Sequence, residues 1–238
     1  MPGMISNRAR RFRACCKALV TLAAMVLCLC AAPAFHLQAV AAEYRSEIAF
    51  RVSRGVNVFP FLWRGTEFKD GRFAGAGYKP VESYFPLKEF DRIKSLGFDY
   101  IRLPVHVGPL VTASDETELA ARADYVFRQA DAIEAKGLKV IIDIHTPDRD
   151  RGYVYDAEGI VNGPGMYEAF KRVIIAMAER ISRRPTDRFA LELFNEPQVD
   201  CRTPGLWERY IGELTRLARH HAPAHTLILT GACGGGLF

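Results

Sequence analysis

Asn195 and Glu196 stand at the end of an apolar, strand-like run, F-A-L-E-L-F at 189 to 194, and Pro197 forbids that strand to continue. A carboxyl group at such a rim can give and take a proton. The amide beside it can hydrogen-bond a hydroxyl and strengthen that bond as charge develops on the reacting carbon. The pair therefore suits cleavage of a glycosidic bond. Alone, N-E-P is also an ordinary loop tripeptide, because Asn and Pro favour turns and Glu favours water.

Other polar residues end apolar runs in the same way. I-R-L-P-V-H at 101 to 106 supplies Arg102 and His106, and I-I-D-I-H at 141 to 145 supplies Asp143 and His145. Strand residues two apart face one side, so Arg102, Pro104 and His106 share a face, as do Asp143 and His145, and Glu192 and Glu196. A ring of Arg, Asp, His, Asn and Glu around one axis would satisfy the hydrogen-bonding needs of each member. It would also set the protonation of Glu196, because nearby cations and carboxylates move a carboxyl pKa in opposite directions. Asp143 and Glu192 lie earlier than the rim and read as buried partners of Arg102 or His145. His106 reads as a subsite contact. Trp63 reads as a stacking platform for a pyranose face, with covering of the barrel end as its plainer use. Tyr153 and Tyr155 are weaker versions of the same idea. Trp207 reads as packing, and His220, His221 and His225 sit near a helix end, where the dipole favours them without chemistry. Zinc at Asp143 and His145 would want further ligands at other strand ends, where the first strand offers only Asn57. No metal or cofactor is expected.

The elements that must position these residues alternate. Strands are predicted over Gly55–Phe59, Tyr100–Val105, Lys139–Ile144, Phe189–Phe194 and Thr226–Thr230. Helices are predicted from Pro86 through Leu96, with Phe90, Ile93 and Leu96 on one stripe, and over Glu116–Lys136, Met166–Arg183 and Leu206–His221. On the second of these, Leu119, Ala123, Val126, Phe127, Ala130 and Ile133 form the inner side, and Gly97 and Gly137 act as helix stops. Buried strands alternating with helices imply an α/β fold with a parallel sheet and right-handed crossovers. The loop after the first strand is long and aromatic and carries no glycine-rich phosphate fingerprint, which argues against a dinucleotide fold. A (β/α)8 TIM barrel is the expectation. A full one takes about 250 residues, and about five of its eight β/α units are counted here.

The N-terminus reads as an address. Arg8, Arg10, Arg11, Arg13 and Lys17 precede an apolar core from Ala18 to Ala32, and Ala39-Val40-Ala41 gives a small-x-small cleavage site. That is the layout of a secretory signal peptide over residues 1–42, shorter in its core than the roughly 20 apolar residues of a membrane span. A weaker twin-arginine pattern, Arg10-Arg11-Phe12, lies within it. The expected location is secreted or periplasmic, with a partial catalytic barrel over residues 43–238. The formal charge of +5 belongs to the leader: removing its five basic residues from 32 leaves 27, equal to the 27 acidic ones. A nucleic-acid or anionic-membrane partner loses its electrostatic support. Four of the six cysteines leave with the leader. Cys201 and Cys233 remain, and two readings stand side by side: a disulfide between loops that follow adjacent strands, or two separate small buried residues.

Taken together, R-G-V-N at 54 to 57, I-R-L-P-V at 101 to 105, V-I-I-D-I-H at 140 to 145 and N-E-P at 195 to 197 resemble glycoside hydrolase family 5, the cellulase family of retaining (β/α)8 glycosidases. The resemblance covers about residues 54 to 233. It implies an endoglucanase-like O-glycosyl hydrolase, a monomer, acting on a β-glucan or a related polysaccharide or oligosaccharide. Glu196 is then the general acid/base, Asn195 the contact to the sugar 2-hydroxyl, and Arg102 and His145 members of the cleavage subsite. It also implies a nucleophilic glutamate at the end of a seventh strand, expected beyond Phe238. A noncatalytic carbohydrate-binding protein on a degenerate partial barrel is the alternative. Residues 43–238 alone are expected to fold poorly and hydrolyse no glycan.

Overall fold

The computed structural model describes residues 50–58, 62, 66, 68–69, 72–79, 85–147, 156–199, 201 and 205–235. The predicted leader, Phe59, Trp63, Tyr153 and Tyr155 lie outside these residues.

After β1 (Gly55–Asn57) comes a short antiparallel pair, β2 (Phe68–Lys69) and β3 (Arg72–Phe73). Then follow β4 (Tyr100–His106), β5 (Lys139–His145), β6 (Phe189–Glu192) and β7 (Thr226–Ile228). Apart from the short pair, the strands form one parallel sheet in the order β1-β4-β5-β6-β7. The helices are α1 (Lys88–Ser95), α2 (Gly108–Val111), α3 (Glu116–Glu134), α4 (Ala157–Asn162), α5 (Met166–Ile181) and α6 (Leu206–His221), with one kinked helical turn at Ala232–Gly235. Sequential parallel strands joined by helices are the arrangement of a (β/α)8 barrel, of which five units are described.

The period of two sorts each strand. In β5, Val140, Ile142 and Ile144 are wholly buried in the apolar core shared with the helices. Each such side chain stabilises the fold by about 1.5–3 kcal/mol relative to exposure. Ile141, Asp143 and His145 take the opposite face. In β4, Ile101, Leu103 and Val105 join the core, and Arg102, Pro104 and His106 take the other side. Pro104 has no N–H to give, and it falls where pairing with the first segment jumps from Val58, whose N–H reaches Arg102 O, to Leu62, whose carbonyl accepts from His106. The register stacks the polar residues in levels: Arg102 beside Asn57 and Ile141, then Pro104, Asp143 and Glu192 together, then His106 beside His145.

The helices answer this sheet. Asp115 caps α3, its carboxylate accepting from the Glu118 N–H at 2.8 Å, while the Glu118 carboxylate reaches back past the cap to accept from the Ser114 N–H at 2.7 Å. The predicted inner stripe of α3 is buried at all six positions. Gly137 follows α3 with φ +79°, a left-handed turn that glycine adopts without penalty.

Several boundaries differ from expectation. Leu96, expected on the inner stripe of α1, is its C-cap and is 60% exposed, because the stripe's alignment is lost where the helix ends. The fourth strand stops at Glu192 rather than Phe194, and the fifth at Ile228 rather than Thr230. In the first case Leu193 still donates to Ile228 O and Asn195 to Ile144 O, so the chain leaves the ladder gradually between its two neighbours.

Candidate active site

Arg102 is the hub of the polar face. Its Nε donates to Glu192 Oε2 at 2.7 Å and its Nη2 to Glu192 Oε1 at 2.6 Å, a bidentate fork. The same Nη2 reaches Asn195 Oδ1 at 2.7 Å, and Nη1 reaches Asn57 Oδ1 at 3.3 Å and Asp143 Oδ2 at 3.0 Å. Asp143 is wholly buried, and its Oδ2 lies 2.6 Å from His145 Nδ1. His145 Nε2 lies 3.1 Å from Asn195 Nδ2. Four strands and one strand end suffice: β1, β4, β5 and β6 supply Asn57, Arg102, Asp143, His145 and Glu192, and Asn195 comes from the segment that follows β6.

The charges are mutually dependent. Burial works against a charged Arg102, but Glu192, Asp143 and Glu196 outweigh it and hold the guanidinium above its ordinary range. Burial likewise pushes the Glu192 carboxyl up, and the Arg102 hydrogen bonds oppose it. Both Glu192 oxygens face guanidinium nitrogens, which only donate, so the bound species is the carboxylate. Asp143 Oδ2 faces Arg102 and therefore accepts, which puts the His145 proton on Nδ1 and leaves Nε2 as an acceptor. Asn195 must then offer its nitrogen to His145 and its oxygen to Arg102, as observed. One buried atom of this group, Asp143 Oδ1, has no hydrogen-bond partner among the described residues.

Glu196 follows immediately and is exposed between buried Asn195 and Pro197. Its φ is +33°, in the left-handed region. Beyond it, Pro197 O accepts from Gly234 N at 2.8 Å and Val199 O from Cys233 N at 3.0 Å. Cys201 and Cys233 form a disulfide with Cα atoms 4.9 Å apart. The pairing left open by the sequence is thus made in the structure.

His106 stands in register with His145 but is only 6% exposed. Its Nδ1 accepts from the Gly108 N–H at 3.1 Å, and the Tyr78 hydroxyl donates to its carbonyl at 3.1 Å. Burial, with His145 nearby, lowers its pKa to about 4, so the ring is neutral. Burial also raises the Tyr78 phenol, which stays a neutral donor. Among the described residues no group of three His, Cys, Asp or Glu side chains is arranged to hold a metal ion. At Asp143, the guanidinium of Arg102 already occupies the position a cation would need.

Glu196, Asn195, Arg102 and His145 are brought together, while Trp63 lies outside the described residues. Asp143 and Glu192 partner His145 and Arg102 as their strand positions suggested. Asn57, considered in the sequence only as a poor metal ligand, is a further member; its place at the end of an R-G-V-N run was the available signal. Trp207 packs at 5.1 Å from Phe194, ring to ring, and its Nε1 donates to Thr230 O at 2.8 Å. A surface hollow of about 460 Å³ beside α6, lined by Glu208, Arg209, Tyr210, Glu213 and Arg216, shares no residue with the network.

Comparison with known proteins places these residues in context. The family model described as cellulase (glycosyl hydrolase family 5) matches residues 60–235. A probable glucan 1,3-beta-glucosidase A of Aspergillus niger is 27% identical over 157 residues, covering 62% of this chain and 36% of that protein. A glucan 1,3-beta-glucosidase of Blumeria graminis is 30% identical over 115 residues, covering 46% and 27%. The chain therefore matches about a third or less of the length of these curated relatives. Thermotoga maritima Cel5A, solved in complex with mannotriose, superposes with a TM-score of 0.57 at 22% identity, over 80% of this chain and 55% of that one.

Proposed function

The chain belongs to the cellulase family, glycosyl hydrolase family 5, and from that premise we propose that it serves retaining hydrolysis of a β-linked glucan, with Glu196 as general acid/base. The observation that carries the reading is the contrast at the end of β6: Asn195 is held on both polar atoms, and Glu196, the next residue, is exposed at the mouth. The named activities of the two fungal relatives support a β-glucan as the substrate. Export to a secreted or periplasmic location follows from the leader-like residues 1–42 and goes with a polysaccharide substrate. Among the described residues no helix is long and apolar enough to cross a membrane.

In this mechanism the Glu196 carboxyl protonates the glycosidic oxygen as the bond breaks, and its carboxylate then takes a proton from the water that releases the sugar. Asn195 Nδ2 carries two hydrogens. One is engaged by His145, and the other is directed to the oxygen of the sugar 2-hydroxyl, which it holds in place at the cleavage subsite. Arg102, Asp143 and Glu192 supply no proton; they fix the amide before substrate arrives, so no reorganisation is needed in the transition state. Retention requires a second carboxyl about 5–5.5 Å from the first. Asp143 and Glu192 are engaged by Arg102, so the nucleophile is assigned to a glutamate outside the described residues. Trp63 is assigned to stacking on the sugar and His106 to the wall of the cleavage subsite.

The test is Glu196→Gln in the full-length protein, assayed on β-glucosides with alkyl and with dinitrophenyl leaving groups. The expected kcat/KM loss is about 10²–10⁴-fold for the alkyl glucoside, which needs a proton donor, and small for the activated one. Undiminished cleavage of the alkyl substrate would sink the assignment, and binding of β-glucan without any turnover by the wild type would favour the noncatalytic alternative.

A further inference from the structure

Among the described residues, only two that are not glycine have positive φ: Glu196 at +33° and Cys233 at +53°. They lie at opposite ends of one tie. From Glu196 the chain runs through Pro197, Val199 and Cys201, and each of these alternate residues is joined to the turn at Ala232–Gly235: Pro197 O to Gly234 N, Val199 O to Cys233 N, and Cys201 to Cys233 through sulfur. On its other side Glu196 is fixed by Asn195, whose N–H donates to Ile144 O at 3.0 Å and whose side chain is held by Arg102 and His145. Glu196 is thus an exposed residue between two anchored points, Asn195 and Pro197. An L-residue leaves the left-handed region unless its surroundings over-determine it. Two main-chain hydrogen bonds at a partly exposed turn exchange readily with water. The covalent link keeps them in register.

We propose that the Cys201–Cys233 disulfide is a positioning device for Glu196, clamping the turn after β7 against Pro197–Val199 and so maintaining the left-handed backbone that presents the Glu196 carboxyl at the mouth. The proposal rests on the reading of Glu196 as acid/base and adds to it the means by which the carboxyl is aimed. It differs from the general stabilisation any disulfide gives by restricting the unfolded chain, which would affect every substrate alike.

The experiment compares oxidised and reduced full-length protein, with Cys201→Ser/Cys233→Ser as a form needing no reductant. A dithiol reductant supplies two electrons and two protons to the disulfide, giving two thiols, and closes to its own cyclic disulfide. Independently of activity, the backbone amide resonances of Glu196 and Cys233 shift on reduction, and exchange at the Cys233 and Gly234 amides quickens about ten-fold or more. The Arg102 Nε–H resonance, which reports the network below, stays in place. Unchanged Glu196 and Cys233 resonances would overturn the proposal. In kcat/KM, which reads departure of the leaving group, reduction costs about 10²-fold on the alkyl β-glucoside and less than about three-fold on the dinitrophenyl one. An equal fall on both would also overturn it, since that is the mark of lost folded protein. If the alkyl substrate were cleaved equally well by Glu196→Gln, the acid/base reading would fail instead, and the resonances would still decide whether the disulfide sets the Glu196 backbone.

Discussion

Asn195 is fixed by neighbours whose hydrogen-bonding character is not adjustable: a guanidinium that only donates and a histidine whose acceptor nitrogen is set by a carboxylate. His106, one strand away from His145, shows what burial does to a histidine whose Nδ1 accepts from a main-chain N–H. Its pKa in the fold, lowered to about 4 mainly by burial, lies below the ordinary 6.5. Between those values the unfolded chain binds more protons than the folded one, so stability rises with pH across that window and is complete above it. The stability lost on acidification amounts to about 3 kcal/mol for this group. His106→Asn keeps an acceptor for the Gly108 N–H and should flatten the fall in Tm between pH 6.5 and 4, measured by thermal unfolding; parallel profiles for the two proteins would show that His106 does not titrate this way. The sequence made most of this cluster legible, because period-two spacing puts Arg102, Asp143, His145 and Glu192 on one face. It did not reveal which atoms meet, since Arg102 sits one level below Asp143 and Glu192 and only its length lets it reach them.

At the level of elements, the apolar stripe of α3 was readable and Arg122 within it was not. A helical pattern assigns a lone arginine to solvent, yet Arg122 is 1% exposed. Its Nη1 donates to Pro109 O, its Nη2 to Phe73 O and to Glu118, so one side chain joins α3 to α2 and to β3. Those partners are main-chain carbonyls of segments with little pattern of their own, the two-residue strands and the four-residue helix, which is why both element and tie escaped the sequence. The tie bears on the site through Phe73, whose ring stands 6.1 Å from that of His106. Arg122→Met retains much of the volume and leaves two carbonyls without their donor, while Glu118 can turn to water. A loss of about 3 kcal/mol is expected, read as a lower urea midpoint at unchanged slope. A change within about 0.5 kcal/mol, as for an ordinary surface position, would mean the carbonyls find other donors.

At the scale of the whole molecule, the alternation of five buried strands with helices was legible because strands covered on both faces read as continuous apolar runs. The same architecture predicts how residues 43–238 behave when expressed by themselves. Within the described sheet, β1 pairs only with β4 and β7 only with β6, so each has a ladder edge without a strand. The three residues of β7 are only half-buried, and Leu229 beside them is 50% exposed. An apolar edge without inward charge or proline is a template for pairing with another chain. Balanced charge, 27 basic against 27 acidic residues once 1–42 are removed, adds little repulsion between copies. Residues 43–238 alone should therefore associate in a concentration-dependent way and melt without a sharp transition, and Leu229→Lys should raise the concentration at which association begins. A cooperative, concentration-independent transition would refute this. The piece should also fail to turn over an activated aryl β-cellobioside, because Glu196 alone cannot form and release the glycosyl-enzyme bond. Turnover abolished by Glu196→Ala would mean that Asp143 or Glu192 leaves Arg102 and supplies the second carboxyl.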